Sequence, residues 1–248
     1  MPGPIQSLSR SAALLRLLAT GEGRFGLSDA AASLGLPKGT VYGILRTLRQ
    51  EGFVEQDPVS GKYGLGAEVA RLGGRYLQTH EVRAHALAWA DDLARDTGEA
   101  VHVGVPHRSG VLIVHHVVRP DNSRQVLETG TVVSVGGTAL GAVLRAYASE
   151  SPQPTASWAE HGSAAASGES PDAVRDRGWA CVPGPARDGT ASIAVPIRDR
   201  RKGAVAAVSV TGSADRVCAD GPVRASLVSA ARTCARSISR SLGDTDRP

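Results

Sequence analysis

Aromatic residues are scarce: two Phe, four Tyr and three Trp make up 4% of 248 residues. The core must therefore be filled by Ala, Val and Leu, and the 42% apolar content is normal for a globular chain. Cysteine is rarer still. Cys181, Cys218 and Cys234 are odd in number, widely spaced and without a C-x-x-C pair, so a disulfide framework is not expected. No apolar run approaches the ~20 residues needed to cross a bilayer. Met1-Pro2-Gly3-Pro4 lacks the basic and apolar parts of a signal peptide. These absences predict a soluble, cytoplasmic protein with reduced thiols and no membrane partner. Gly-x-Ser-x-Gly, P-loop and H-E-x-x-H motifs are also missing, which argues against an enzyme and predicts no cofactor.

The length sits between one large domain and two ordinary ones. The net charge is only +4, but it is unevenly placed. Residues 1–66 carry 7 basic and 5 acidic side chains, residues 67–170 carry 8 and 11, and residues 171–248 carry 13 and 8. A modest basic excess at both ends permits nucleic-acid binding without establishing it.

Helical spacing dominates the N-terminal segment. Ser7 is the expected N-cap of a first helix whose Leu8, Ala12, Leu15 and Leu18 share one face. A second helix is expected from Ser28, its hydroxyl as cap, with Ala31, Ala32 and Leu34 inward and Gly35 as the stop. A third runs from Pro37, at the first helical position, to about Glu51. It buries Val41, Leu45 and Leu48 and presents Lys38, Thr40, Tyr42, Arg46 and Arg49. Phe53 to Gln56 and Lys62 to Leu65, around a turn at Asp57 to Gly61, predict a hairpin. Two helices joined by a tight turn and followed by a hairpin describe a winged helix-turn-helix. Periodicity alone leaves two readings standing: a DNA reader, or a three-helix core with Arg46 and Arg49 merely solvated.

Residues 67–97 read as helix with a second start near His80. After Gly98 the period changes to two. Ala100 to Val105 and Gly110 to Val118 read as paired strands, with Gln125 to Leu127 as a shorter third. Thr138 to Tyr147 reads as a helix, 149–171 as a flexible surface segment, and Pro171 to Arg177 as a short helix. Ala191 to Ile197 and Ala204 to Thr211 are strands around a turn at Asp199 to Gly203. Gly221 to about Leu242 is a final helix bearing Val223, Leu227, Ala231 and Ile238. The order predicts an α+β fold with a central antiparallel sheet. His115 and His116, adjacent on a strand, point to opposite faces and cannot share a metal, although His102 on the neighbouring strand can approach one of them.

Particular stretches carry a resemblance. Gln6-Ser7-Leu8-Ser9-Arg10, Gly35-Leu36-Pro37-Lys38-Gly39-Thr40-Val41-Tyr42, Leu45-Arg46-Thr47-Leu48, Glu51-Gly52-Phe53-Val54 and Gly61-Lys62-Tyr63-Gly64-Leu65-Gly66 look like the DNA-binding domain of the IclR family. Thr138-Ala139-Leu140-Gly141, Gly178-Trp179-Ala180, Gly189 through Ile197 and Val208-Ser209-Val210-Thr211-Gly212 are similar to its GAF-like sensor domain. The resemblance implies a winged helix-turn-helix over 1–66, a linker helix over 67–80 and an effector-binding domain over 81–248. It implies a regulator of a catabolic operon, a repressor, that binds a palindromic double-stranded DNA operator as a homodimer or homotetramer. Gly39 and Gly43 stand where the family has Ser and Arg, which lets the recognition helix lie closer to DNA. Base contacts then fall on Lys38, Thr40, Tyr42 and Arg46, with Arg46 suited to a bidentate grip on guanine. Gln6, Ser7, Arg10 and Lys62 are phosphate contacts in this reading, and Ser28 is a further DNA-binding residue.

For the sensor, the resemblance points to an effector pocket formed by Thr138, Ala139, Leu140, Thr190, Ser192, Ser209 and Thr211. From the residues alone, Ser192, Ser209 and Thr211 read first as strand hydroxyls satisfied by backbone. Leu36-Pro37-Lys38-Gly39-Thr40, His115-His116-Val117 with Arg119-Pro120-Asp121, and Ala191-Ser192-Ile193-Ala194 are similar to the family's regulators of glycerol operons. That implies glycerol 3-phosphate as the small-molecule effector. Other readings stay open: a family member answering to an aromatic or small organic acid, a GAF-like hydrolase, or a non-catalytic interaction module.

Overall fold

The computed structural model describes residues 3–20, 23–108, 110–121, 125–150, 158, 170–183, 189–218 and 223–244. The chain divides into two compact units, Met1–Tyr76 and Leu77–Pro248.

The first unit holds α1 (Gln6–Leu18), α2 (Leu27–Leu34), α3 (Lys38–Gln50), β1 (Val54–Gln56), β2 (Tyr63–Leu65) and most of α4 (Ala67–Thr79). Its core is Leu14, Leu18, Ala30, Ala31, Val41, Leu45, Val54 and Tyr63. Several local expectations shift by one to three residues. Helix α1 begins before Ser7: its N-cap is Ile5, and no side chain caps it. Leu18 is buried as expected, but Leu8 is 64% exposed and Leu14 takes its place on the inward face. Helix α2 begins at Leu27 behind Gly26, which leaves Ser28 inside the helix and not at its cap. Ala30 and Ala31 point inward while Ala32 is exposed. Pro37 precedes α3 as its N-cap, with ψ at 138°. Gly35 ends α2 in the left-handed region, φ 62°, where glycine carries no Cβ penalty.

The hairpin forms as the alternation suggests, with Val54 opposite Leu65 and Gln56 opposite Tyr63. Phe25 adds a bridge: its N–H donates to the Tyr63 carbonyl at 2.9 Å, and Tyr63 returns the bond at 2.8 Å. Asp57 organises the turn by accepting from the Ser60 N–H at 2.7 Å, the Ser60 hydroxyl at 2.8 Å and the Val59 N–H at 3.1 Å. Those bonds, led by the Ser60 N–H, hold its carboxyl below the usual value.

The second unit is a six-stranded antiparallel sheet in the order β5-β4-β3-β8-β7-β6. Its strands are β3 (Ala100–His107), β4 (Gly110–Val117), β5 (Val132–Val133), β6 (Ala180–Pro183), β7 (Thr190–Arg198) and β8 (Ala204–Ser213). Helices α5 (Glu81–Thr97) and α9 (Ala225–Ser241) cover one face. There Val101, Val103, Val105, Ile193, Val195, Ile197, Val208 and Val210 meet Ala86, Ala90, Leu93, Ala231 and Ile238. Helices α6 (Ala139–Ala146) and α7 (Pro171–Arg177) cover the other, against Val111, Ile113, Val182, Ala194 and Ala207. A short α8 (Ala214–Val217) follows β8.

Period two explains this division: Val101, Val103 and Val105 face α5 and α9, so His102 and Gly104 face α6. Two expectations fail here. Gln125 to Leu127 is not a strand: Val126 is 79% exposed, and the edge strand is Val132–Val133. Val223 lies outside the last helix, which starts at Ala225 behind Arg224 and leaves Val223 bridged to Cys218. Strand β6, which the pattern did not suggest, pairs Val182 with Ser192. Most of segment 149–171 lies outside the described residues; Trp158 within it is buried and donates its indole N–H to the His107 carbonyl at 2.7 Å. No helix among the described residues is long and apolar enough to cross a membrane.

Candidate nucleic-acid interface and ligand cavity

In the first unit, α3 turns Val41 and Leu45 into the core, so the opposite stripe faces solvent. Lys38, Gly39, Tyr42 and Arg46 are exposed, and Thr40 and Gly43 are half-buried. A Cβ built on Gly39 or Gly43 meets nothing within 4 Å, so internal packing does not demand either glycine. Gln6, Ser7, Ser28 and Lys62 are exposed and Arg10 is half-buried. Arg49 is committed elsewhere: its guanidinium donates to the Gln56 side chain at 2.7 Å, and Gln56 donates to the Gly61 carbonyl at 3.0 Å. These bonds tie α3 to the hairpin. The sequence reading missed Arg24, which pairs with Glu55 at 3.0 Å and Asp57 at 3.7 Å and braces the same hairpin.

In the second unit, all seven expected effector residues line one cavity of about 240 Å³. Register explains the convergence. Across the sheet Val182 faces Ser192 and Ser192 faces Thr211, while Ser209 faces His102. Directly opposed residues share a face of a sheet, so these groups form two rows beneath α6. The Ser192 and Thr211 hydroxyls lie 2.8 Å apart and bond to each other, not to backbone. Ser209 is 2% exposed, and its hydroxyl makes no hydrogen bond to another described residue.

Thr138 caps α6, accepting the Gly141 N–H at 3.1 Å and donating to the Ser134 carbonyl at 2.8 Å. Gly141 is required by contact, since a Cβ there would collide with the Val135 backbone. That close approach sets the first turn of α6 over the cavity, where Ala139 and Leu140 have N–H groups without intrahelical partners. Such a helix start attracts anions.

His102, Glu128, Ile113, Val133, Val182 and Pro183 also line the cavity and were not anticipated as site residues. His102 was legible in principle, since it alternates with Val101 and Val103; Glu128 sits in a loop and left no periodic signal. His102 Nε2 lies 3.0 Å from a Glu128 carboxylate oxygen, and the His102 and His116 rings stack at 4.2 Å. Burial, with the neighbouring His102 charge second, pushes the His116 imidazole down to about 4. The hydrogen bond from His102 holds the Glu128 carboxyl below the usual value. Among the described residues, no group of three or more His, Cys, Asp or Glu side chains could hold a metal ion. A larger cleft of about 690 Å³ opens beside α9, lined by Arg198, Arg232 and Arg236 among others, and none of the expected residues reaches it.

A helix-turn-helix with a wing, joined to a sheet domain whose small open cavity mixes apolar walls with several hydroxyls, defines a ligand-responsive DNA-binding regulator. Family models agree. Residues 7–58 match the IclR helix-turn-helix domain, and residues 74–240 match the bacterial transcriptional regulator IclR C-terminal domain. The chain belongs to the IclR family of bacterial transcriptional regulators. It is 55% identical to the glycerol operon regulatory protein of Streptomyces coelicolor, over 96% of this chain and 97% of that one. The glycerol operon regulatory protein of Streptomyces griseus is 53% identical over the same shares of the two chains. Among solved structures, the IclR regulator of Alicyclobacillus acidocaldarius superposes with a TM-score of 0.78 at 24% identity. That match covers 98% of this chain and 100% of the other.

Proposed function

We propose that this protein represses a glycerol-utilisation operon by binding a palindromic operator, and that glycerol 3-phosphate in the sheet-domain cavity controls that binding. The single observation that supports the effector half most strongly is the convergence of Thr138, Ala139, Leu140, Thr190, Ser192, Ser209 and Thr211 on one cavity. Hydroxyls and a helix start together suit a small, hydroxylated anion. Two relatives more than half identical over nearly the whole length are named as glycerol operon regulators, which supports the pathway.

In the DNA half, Lys38, Thr40, Tyr42 and Arg46 read base edges while Gln6, Ser7, Arg10, Ser28 and Lys62 hold phosphates. Gly39 and Gly43 let α3 approach closely. One winged helix-turn-helix covers one half-site, so the active species is a dimer or tetramer. Ile5 before α1, Leu8 on α1, and Leu72 and Tyr76 on α4 are exposed apolar side chains that a second copy would cover. The units act as a 1–66 reader, a 67–80 linker and an 81–248 sensor. The protein works in the cytoplasm and has no catalytic role.

Footprinting of the DNA upstream of the gene, with and without glycerol 3-phosphate, tests the whole proposal. The expected result is a protected palindrome whose protection changes with the ligand. Protection that no metabolite of glycerol alters would remove the effector assignment.

A further inference from the structure

Beyond the seven expected residues, the cavity wall holds His102 and Glu128. Glu128 is fixed from two directions. Its carboxylate lies 3.0 Å from His102 Nε2, and its backbone N–H donates to His116 Nδ1 at 3.0 Å. His116 in turn stacks on His102, its cross-strand partner. A carboxylate has about four acceptor positions, and a single imidazole cannot occupy them all. The remainder can take the O–H groups of a ligand, and a vicinal pair of hydroxyls suits two oxygens of one carboxylate. The same charge opposes any second anion brought against it. At the start of α6, by contrast, the Ala139 and Leu140 N–H groups and the positive end of the helix favour negative charge. Ser209, nearly buried, adds a hydroxyl beside His102 without a described partner. The cavity is therefore bipolar, with N–H donors at the helix start and a held acceptor at Glu128.

We infer that Glu128, positioned by His102 and His116, is the specificity-determining residue of this cavity: it selects a ligand with one anionic end and one alcohol end. A ligand of equal length with an anion at both ends is rejected. This rests on the cavity being the effector site. An uncharged diol terminus gains hydrogen bonds at Glu128, whereas a terminal carboxylate meets like charge at a carboxylate that His102 holds against the cavity.

The test is calorimetric titration of the full chain with two probes, glycerol 3-phosphate and 3-phosphoglycerate. These have the same length and differ in a terminal alcohol against a terminal carboxylate. The wild type is expected to prefer glycerol 3-phosphate by tenfold or more. Glu128→Gln should weaken that ligand several-fold, strengthen 3-phosphoglycerate and bring the two within about threefold of each other. Glu128 is about half exposed, so the substitution spares the core. Glu128→Asp serves as the second variant: it should lose affinity for glycerol 3-phosphate yet still reject the carboxylate, because the charge remains while its placement is lost. If the wild type binds glycerol 3-phosphate and Glu128→Gln leaves the ratio unchanged, this inference is overturned while the effector reading stands. If the wild type binds neither probe, both fall together.

Discussion

Gly39 and Gly43 offer an unusually clean perturbation, because they lie on the outward stripe of α3 at ordinary helical angles. Glycine in a helix interior costs about 1 kcal/mol relative to alanine, mostly through the freedom that the unfolded chain keeps. At neither position does a Cβ meet an atom within 4 Å, so no strain offsets the gain. Gly43→Ala should thus stabilise the DNA-binding unit by up to about 1 kcal/mol, Gly39→Ala in the first turn by less, and the pair by about 1–1.5. For a unit of this size, each kcal/mol moves the melting point by roughly 4–8 °C. Helical circular dichroism of the full chain during heating, with a urea series as a check, reads the shift. If the recognition helix uses the missing Cβ atoms to lie against DNA, the same double variant should bind operator several-fold more weakly despite its stability. Unchanged or lowered stability would refute the placement of this stripe in open solvent. Raised stability with undiminished operator affinity would refute the close-approach role.

Arg46→Ala should cost about 1–3 kcal/mol of operator binding and relax preference at one base pair, whereas Lys62→Ala should weaken all sequences alike and flatten the salt dependence. Competition binding at two salt concentrations separates them, and identical behaviour would undo the assignment of roles. Gly141→Ala forces a Cβ into the Val135 backbone, so the sensor should lose about 1–3 kcal/mol, with the start of α6 displaced and ligand affinity reduced. Denaturant unfolding with and without glycerol 3-phosphate measures both effects.

Stability should also depend on pH between 4 and 7. The folded His116 value, about 4, lies below the unfolded value of 6.5, so the unfolded chain takes up its proton first. Stability present above pH 6.5 is therefore lost as pH falls through that window. His80 and His115, also lowered chiefly by burial, act in the same direction, and Glu128 adds a further loss at lower pH. Urea midpoints at pH 7 and pH 5 check this; His116→Asn should reduce the slope between them, and an equal slope would contradict the assignment.

The parts of this fold written in side-chain period were legible in the sequence. Val41 and Leu45 at a spacing of four place α3, and the Val101, Val103 and Val105 alternation places β3 with both faces covered. The seven cavity residues were located by resemblance; why they meet is a matter of register. Only pairing Ser192 with Thr211 and His102 with Ser209 brings them onto one face. The failures have local causes. Ser7 and Ser28 looked like caps, but each helix starts a residue earlier, behind Ile5 and Gly26. Gln125 to Leu127 looked like a strand, yet the Gln125 side-chain amide takes both backbone groups of Arg119, at 2.7 and 2.9 Å, and closes a loop in place of a ladder. Glu128 was invisible for the same reason: its place depends on that loop and on a bond to His116 twelve residues away.

The central claim is that a ligand in the cavity and DNA on α3 are coupled. Operator affinity of the full chain, measured by fluorescence anisotropy across a glycerol 3-phosphate titration, tests it most directly when paired with ligand affinity measured on free and operator-bound protein. Thermodynamic linkage requires the two to change by the same factor, typically about 5–150-fold in such systems. The account predicts a weakened operator complex at saturating ligand, and a ligand dissociation constant raised by the matching factor when DNA is bound. Ser192→Leu should abolish both changes while leaving operator affinity without ligand nearly unaltered. A ligand that binds the cavity equally well with and without operator, leaving DNA affinity constant throughout the titration, would contradict it.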